Sequence, residues 1–302
     1  MKLHPLAALT LAASLVLTAC GDDGNKPSSS TPEPTPGATT STSTSSGTTS
    51  VPPSSSSTTT PAQQTVRRAV YYYVDTRTGF RLVRELREVP ADHAATAAVE
   101  AMIAGANDPD YATSWNPKTQ VLGAKRVGNV IEVDLSSEAR TANAGSEVAG
   151  LMVQQLVYTA SSALGARLPV QLLIEGKPAG ELWGVLSWTD PERRSPAIDV
   201  RNLVQIDVPA EGATLRSPVT VRGDAAVFEA TLPWRVLDTD GNVVKEGTAM
   251  TTEGQRFAPY SFKVRLAPGD YVVEIREDDP SGGEGGPVMT DTRSITVQPG
   301  TR

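Results

Sequence analysis

Thr189-Asp190-Pro191-Glu192-Arg193-Arg194-Ser195-Pro196 divides the chain into two unlike halves. The segment carries charge and two prolines but no apolar period, which is the composition of a domain boundary. Upstream, over residues 66–190, helical and strand patterns are interleaved. Downstream, over residues 203–302, only strand patterns occur, and residues 191–202 are expected to link the two modules.

In the upstream module, Ala69-Val70-Tyr71-Tyr72-Tyr73-Val74 is β-branched and aromatic, and Thr76-Arg77-Thr78-Gly79 can turn it into a second strand over 80–89. After Pro90, Asp92 is the expected N-cap of a helix whose Ala95, Ala98, Val99, Met102 and Ile103 form an apolar stripe ending at Gly105. A loop over 107–119 leads to strands at 121–127 and 130–135, joined by Gly128-Asn129. Ala149, Met152, Val153, Leu156, Val157, Ala160 and Leu164 then recur at helical spacing, Gly165 stops the helix, and a strand resumes over 170–174. Hairpins mixed with helices predict an α+β module, a mixed sheet covered by two helices, and not a doubly wound parallel sheet.

The downstream module offers strands at 203–208, 219–222, 232–237, 243–248, 260–266, 271–276 and 294–297, with turns such as Asp240-Gly241 and Pro268-Gly269. About seven short strands in about 100 residues predict an all-β immunoglobulin-like sandwich. No cysteine is present to bridge its sheets, so its core rests on apolar burial, with Trp234, facing inward beside Val236, as the expected central aromatic.

The first 65 residues are not domain material. Lys2 precedes an apolar run over 6–17, and Leu17-Thr18-Ala19-Cys20-Gly21 places small residues before the cysteine, so residues 1–19 read as a signal peptide cleaved between Ala19 and Cys20. The run is shorter than the roughly 20 residues a spanning helix needs. The Leu-Thr-Ala-Cys pattern resembles the lipobox of bacterial lipoproteins. That resemblance implies that the Cys20 thiol accepts a diacylglycerol and its amine becomes the new N-terminus, an anchor of several acyl chains. Residues 20–65 are then the lipidated cysteine and a Ser/Thr/Pro linker with too little apolar surface to fold. A flexible chain of about 45 residues spans roughly 40 Å on average and about 150 Å when straight, the reach of a tether.

Charge and rare residues exclude several functions. Lys and Arg total 27 against 34 Asp and Glu, a formal charge of -7, which becomes -8 once Lys2 is removed with the signal. That balance argues against binding nucleic acid or being drawn to an anionic membrane surface by charge. Cys20 is the only cysteine, and His4 and His93 are the only histidines, so no disulfide, Cys/His zinc cluster or thiol redox site is expected, and no cofactor.

The remaining candidates for chemistry each have a structural alternative. His93 falls with Glu100 opposite the apolar stripe, where a water-facing side chain is expected, and no Gly-x-Ser-x-Gly segment accompanies it, so no catalytic residue is assigned. Glu132 and Asp134 share one face of a strand, a spacing that suits either a glycosidase pair on wall polysaccharide or two exposed carboxylates. Asp238-Thr239-Asp240-Gly241-Asn242 starts like a calcium loop, but its glycine comes two positions early and Ala249 stands in the twelfth place, so a hairpin turn is expected. Residues 277–284 read as an acidic, glycine-rich solubilising loop that could hold a weak calcium ion. Tyr71, Tyr73, Trp183 and Trp188 form either a stacking platform for sugars or ordinary strand packing.

Two further resemblances cover nearly all the foldable chain. Residues 66 to 187 are similar to the sporulation and spore germination (GerMN) domain, through 70–74, 82–90, Asp134-Leu135-Ser136-Ser137-Glu138, 154–159 and Glu175-Gly176-Lys177-Pro178 on to Leu182-Trp183-Gly184. Residues 204–298 resemble the immunoglobulin-like domain of bacterial spore germination proteins, through 209–214, Ser217-Pro218-Val219, Val227-Phe228-Glu229-Ala230 and Ala267-Pro268-Gly269-Asp270-Tyr271. Together they imply an extracytoplasmic lipoprotein without known catalysis, held to the cell membrane by its lipid and linked to sporulation or germination. Its expected partner is an envelope protein or the cell-wall glycan. The contrasting expectations are a carboxylate-dependent wall-modifying enzyme and a structural envelope spacer.

Overall fold

The computed structural model of the chain describes residues 64–76, 79–142, 144–279 and 288–300. The signal peptide, Ala19, Cys20 and the tether lie outside them, as do Arg77, Thr78 and most of the acidic loop at 280–287.

The expected opening hairpin is present as β1 (Thr65–Thr76) and β2 (Gly79–Pro90), paired antiparallel from Thr65 opposite Pro90 to Thr76 opposite Gly79. Both faces of β1 are buried, Val70 and Tyr72 in the main core of the module and Tyr71 and Tyr73 in a second cluster with Leu82, Leu151 and Tyr158. That double burial is why the strand reads as a continuous apolar run instead of an alternating one. Helix α1 (Ala94–Ala104) follows. Its first turn closes from the His93 carbonyl to the Ala97 N–H, which puts His93, not the expected Asp92, at the N-cap. Asp92 turns its carboxylate to His93 Nδ1 at 2.7 Å instead of capping the helix.

β3 (Val121–Val127) and β4 (Val130–Leu135) form the second hairpin. Helix α2 (Ser146–Ala163) then crosses over to β5 (Val170–Ile174), which lies parallel to β4, and β6 (Lys177–Pro178) closes a mixed four-stranded sheet. The short pair β7 (Gly180–Leu182) and β8 (Leu186–Trp188) ends the module. The two helices pack on each other and on β1. Helix α2 also closes the free edge of that strand. Tyr71 N–H donates to Thr159 Oγ1 at 3.0 Å, and Gln155 Nε2 donates to the Tyr71 carbonyl at 3.0 Å. The polar residues buried on α2 therefore stand in for a neighbour strand at Tyr71, and Ala112 does so at Tyr73, with which it exchanges backbone hydrogen bonds at 2.9 and 2.8 Å.

After α3 (Ala197–Val200), the second module is the expected sandwich. Its strands are β9 (Val204–Val208), β10 (Ala213–Arg216), β11 (Val219–Ala225), β12 (Thr231–Leu237), β13 (Val243–Met250), β14 (Ala258–Val264), β15 (Gly269–Arg276) and β16 (Thr290–Gln298). One sheet runs β10-β16-β15-β12-β13 and the other β14-β11-β9. Trp234 faces the core beside Val236 but stays half-buried at its margin, stacked on Phe262 at 4.8 Å with Gly247 opposite the indole. The buried aromatic is Tyr260, which combines apolar burial with a hydroxyl donated to the Gln205 carbonyl at 2.9 Å, a partner an indole at Trp234 lacks. Thr60–Arg302 form one compact unit, so the two modules are joined by more than their connection.

Candidate functional site

Residues 191–202 run as a strap along α2. Val170 and Glu192 exchange both backbone hydrogen bonds, at 2.7 and 2.8 Å. Ser195 N–H donates to Gln154 Oε1 at 2.8 Å, Gln154 Nε2 donates to the Arg193 carbonyl at 3.1 Å, and the Tyr158 hydroxyl donates to the Ser195 carbonyl at 2.7 Å. Arg194 lies over the Tyr158 ring at 4.6 Å and donates to Ser161 Oγ, Ser162 Oγ and the Tyr158 carbonyl. The segment lacks apolar periodicity because α2 holds it by hydrogen bonds rather than by a greasy face.

Beyond the strap the modules share two buried ionic clusters. In one, Arg84 on β2 holds Asp207 of β9 through Nε at 2.8 Å and Nη2 at 2.6 Å and reaches Asp224 of β11 at 3.2 Å, while Arg201 grips Asp224 at 2.6 and 3.2 Å. Burial pushes the Asp224 carboxyl up, but Arg84 and Arg201 outweigh it and hold it below its ordinary value. In the other, Arg293 on β16 donates to Asp108 at 2.8 Å, Asp291 at 3.0 Å, the Tyr111 hydroxyl at 2.7 Å and the Ile206 carbonyl at 2.8 Å. One guanidinium faces two buried carboxylates here. Burial pushes Asp291 up despite Arg293, and pushes Asp108 up from 3.8 to about 6.

The two clusters respond to pH in opposite senses. Because Asp108 binds its proton more tightly folded than unfolded, its contribution to stability is full below about pH 4 and is lost as pH rises through about 6. Asp224 has a depressed value, so its contribution is present above 3.8 and is lost as pH falls below that. Urea unfolding of Asp108→Asn is expected to gain about 2–3 kcal/mol on wild type between pH 4 and 7. Parallel profiles for the two proteins would show that another group titrates there.

A cavity of about 500 Å³ opens where the strap meets the junction. Arg84, Arg167, Arg193, Arg194 and Arg201 line it with Tyr71, Tyr158, Phe257 and one carboxylate, Asp224. Arg84 and Arg201 are neutralised as described, but among the described residues no carboxylate lies within ion-pair distance of Arg167, Arg193 or Arg194. Burial lowers Arg194 from its ordinary value, and the nearby Arg167 and Arg201 add repulsion. It remains charged at any physiological pH. A second cavity of about 460 Å³ touches the same strap and is lined by Glu147, Glu192, Asp199, Leu151 and Trp188.

The residues singled out in the sequence are not brought together. His93 is exposed at the start of α1 beside Asp92. Glu132 and Asp134 do share a face of β4, but Asp134 Oδ1 accepts the Gly176 N–H at 3.0 Å, a turn contact. Asp238 Oδ1 accepts the N–H groups of Asp240 and Asn242, which makes that segment the β12–β13 turn. Tyr71, Tyr73 and Trp188 are buried, and Trp183 packs edge-on against Trp115 at 5.3 Å, so the four make no common stacking surface. The Arg193-Arg194 pair was visible in the boundary segment, but nothing there showed that Arg167 and Arg201 would join it.

Residues 69–180 match the family model described as sporulation and spore germination, and residues 203–284 match that of the immunoglobulin-like domain of bacterial spore germination. Neither description indicates a catalytic family. No curated protein sequence matches the chain. Among solved structures, the tandem GerMN domains of the sporulation protein GerM from Bacillus subtilis align at 16% identity and a TM-score of 0.37, over 47% of this chain and 50% of that one. The first GerMN domain of the same protein aligns at 21% identity and a TM-score of 0.34, over 43% of this chain and 98% of that one. The chain thus spans half the length of the tandem structure. It carries one sporulation and spore germination domain followed by one immunoglobulin-like domain of the bacterial spore germination type.

Proposed function

We propose that the chain is a lipid-anchored, non-catalytic binding protein of the cell envelope, with its two germination-type modules held outside the membrane on the Cys20 tether. The composition of the arginine-lined cavity carries the binding half of this reading. Guanidinium groups hold anions but do not exchange protons near neutral pH. Among the described residues, the only carboxylate in the lining, Asp224, is locked between two arginines, and no histidine lines the cavity. Burial raises the Tyr158 phenol, which removes it further from acid–base work. Such a site binds without turning over. The anchoring half rests on the Leu17-Thr18-Ala19-Cys20 run and the Ser/Thr/Pro stretch behind it.

Fractionation with crosslinking in intact cells tests both halves. Wild type is expected in the membrane fraction, coupled to an envelope protein or wall fragment, and Cys20→Ala is expected to leave that fraction. Wild type recovered from the soluble lysate with an uncut N-terminus defeats the anchor. Muropeptides altered by the purified protein defeat the non-catalytic reading.

A further inference from the structure

We infer that the cavity at the module junction is a binding site for a phosphate ester or diphosphate. The inference rests on the binding role proposed above and names the ligand class of that site. Its basis is a charge imbalance. In a chain of net charge -7, Arg167, Arg193 and Arg194 converge on one cavity without a carboxylate partner among the described residues. Their mutual repulsion is relieved by a multiply charged anion far better than by a single carboxylate.

The arginines are also preorganised. Arg194 is stacked on Tyr158 at 4.6 Å and fixed by two serine hydroxyls at 2.7 and 2.6 Å. Arg201 is stacked on Phe257 at 3.9 Å. It is only 5% exposed, and its Nε has no hydrogen-bond partner among the described residues. A planar fork held flat on an aromatic ring offers donors without the entropy cost of ordering a free side chain. The volume of about 500 Å³ exceeds what a bare phosphate fills and lies within the roughly 300–1,000 Å³ of small-molecule sites, which leaves room for the group the phosphate esterifies. Wall polymer, lipid headgroup and free metabolite share this phosphoryl chemistry.

The test is calorimetric titration of the full-length protein with inorganic diphosphate, poly(glycerol phosphate), phosphatidylglycerol vesicles and succinate. Diphosphate is expected to bind saturably, with affinity falling as salt rises. The Arg167→Gln/Arg193→Gln double variant is expected to weaken it at least tenfold. Both side chains are exposed and donate to no other group among the described residues, so an unchanged melting temperature shows that the fold is intact. The Lys263→Gln/Arg265→Gln double variant, an equal loss of charge on another exposed surface, is expected to bind as wild type. Tighter binding of the polymer or of the vesicles than of diphosphate assigns the source. Absence of diphosphate binding at millimolar concentration, equal binding by the double variant, or equal binding of succinate overturns the inference. Crosslinking with the double variant separates this from the broader role: if the envelope partner is still captured, the binding protein stands and only its phosphoryl site is lost.

Discussion

Arg293→Met is expected to lower the unfolding free energy by about 3–5 kcal/mol at pH 7, because it leaves two carboxylates buried without their cation. The Arg293 side chain is 3% exposed, and those of Asp108 and Asp291 are 2% exposed each, so water cannot replace the lost partner. The Tyr111 hydroxyl and the Ile206 carbonyl lose a donor in the same step. Arg235→Met is the matched control. It removes an ion pair with Glu274 that is bidentate, through Nε and Nη2, but whose arginine side chain is 36% exposed, and the expected cost is about 1 kcal/mol or less. The deficit of Arg293→Met should shrink as pH falls from 7 to 5, because the freed carboxylates then take protons instead of staying charged. Asp108 already titrates near 6 with the arginine present, so its protonation falls within that range. Urea unfolding of both variants at the two pH values gives the answer. Equal losses for Arg293→Met and Arg235→Met would mean that the cluster is hydrated and contributes little.

This cluster also explains where the sequence was legible and where it was not. Strands and helices that bury apolar residues against their own module announce themselves by period. The hairpin of β1 and β2, helix α2 and the β3–β4 pair all appear near their expected bounds. Of the strands that meet the other module, β9 is legible in extent, falling within the expected 203–208, but not in what its polar residues hold. Val204-Gln205-Ile206-Asp207-Val208 alternates as a half-solvated strand should, yet Gln205 is 1% exposed and bonds both the N–H and the carbonyl of Arg84. The last strand was expected only from 294, whereas β16 begins at Thr290, because its first two inward positions are Asp291 and Arg293. A charged residue at an inward position breaks the apolar period, and only the partner module shows that its charge is matched. The strand β10 escaped for another reason: its Ala213-Thr214-Leu215-Arg216 is four residues long and is recruited as an edge, parallel to β16. The arginine cavity combines both difficulties. Its arginines come from β2, from the turn after α2, from the strap and from α3's end, so no local pattern announces it.

Gly223→Ala is expected to cost about 3 kcal/mol or more, the upper range for forcing extra volume into a packed core. A Cβ at this position would sit 1.7 Å from the Gln205 carbonyl oxygen and 2.9 Å from the Tyr260 hydroxyl. The first of these is backbone, which cannot rotate away. Gly223 lies at the register shift between β11 and β9, where the two chains approach closely enough for Tyr260 to bond the Gln205 carbonyl. Displacing Gln205 also strains its side-chain bonds to Arg84, to the Tyr111 hydroxyl at 3.1 Å and to Asp291 at 3.1 Å, so the clash propagates into the junction. For a unit of this size the loss corresponds to a fall in melting temperature of about 6–12 °C. Gly150→Ala provides the contrast. It is an exposed position within α2 with nothing within 4 Å of the added methyl, and alanine there should raise stability by up to about 1 kcal/mol through helix propensity. If the two variants melt together, β9 must be able to slide off β11 without disturbing the junction, and the coupling of Gln205 to both ionic clusters would then be incidental to how the modules are held.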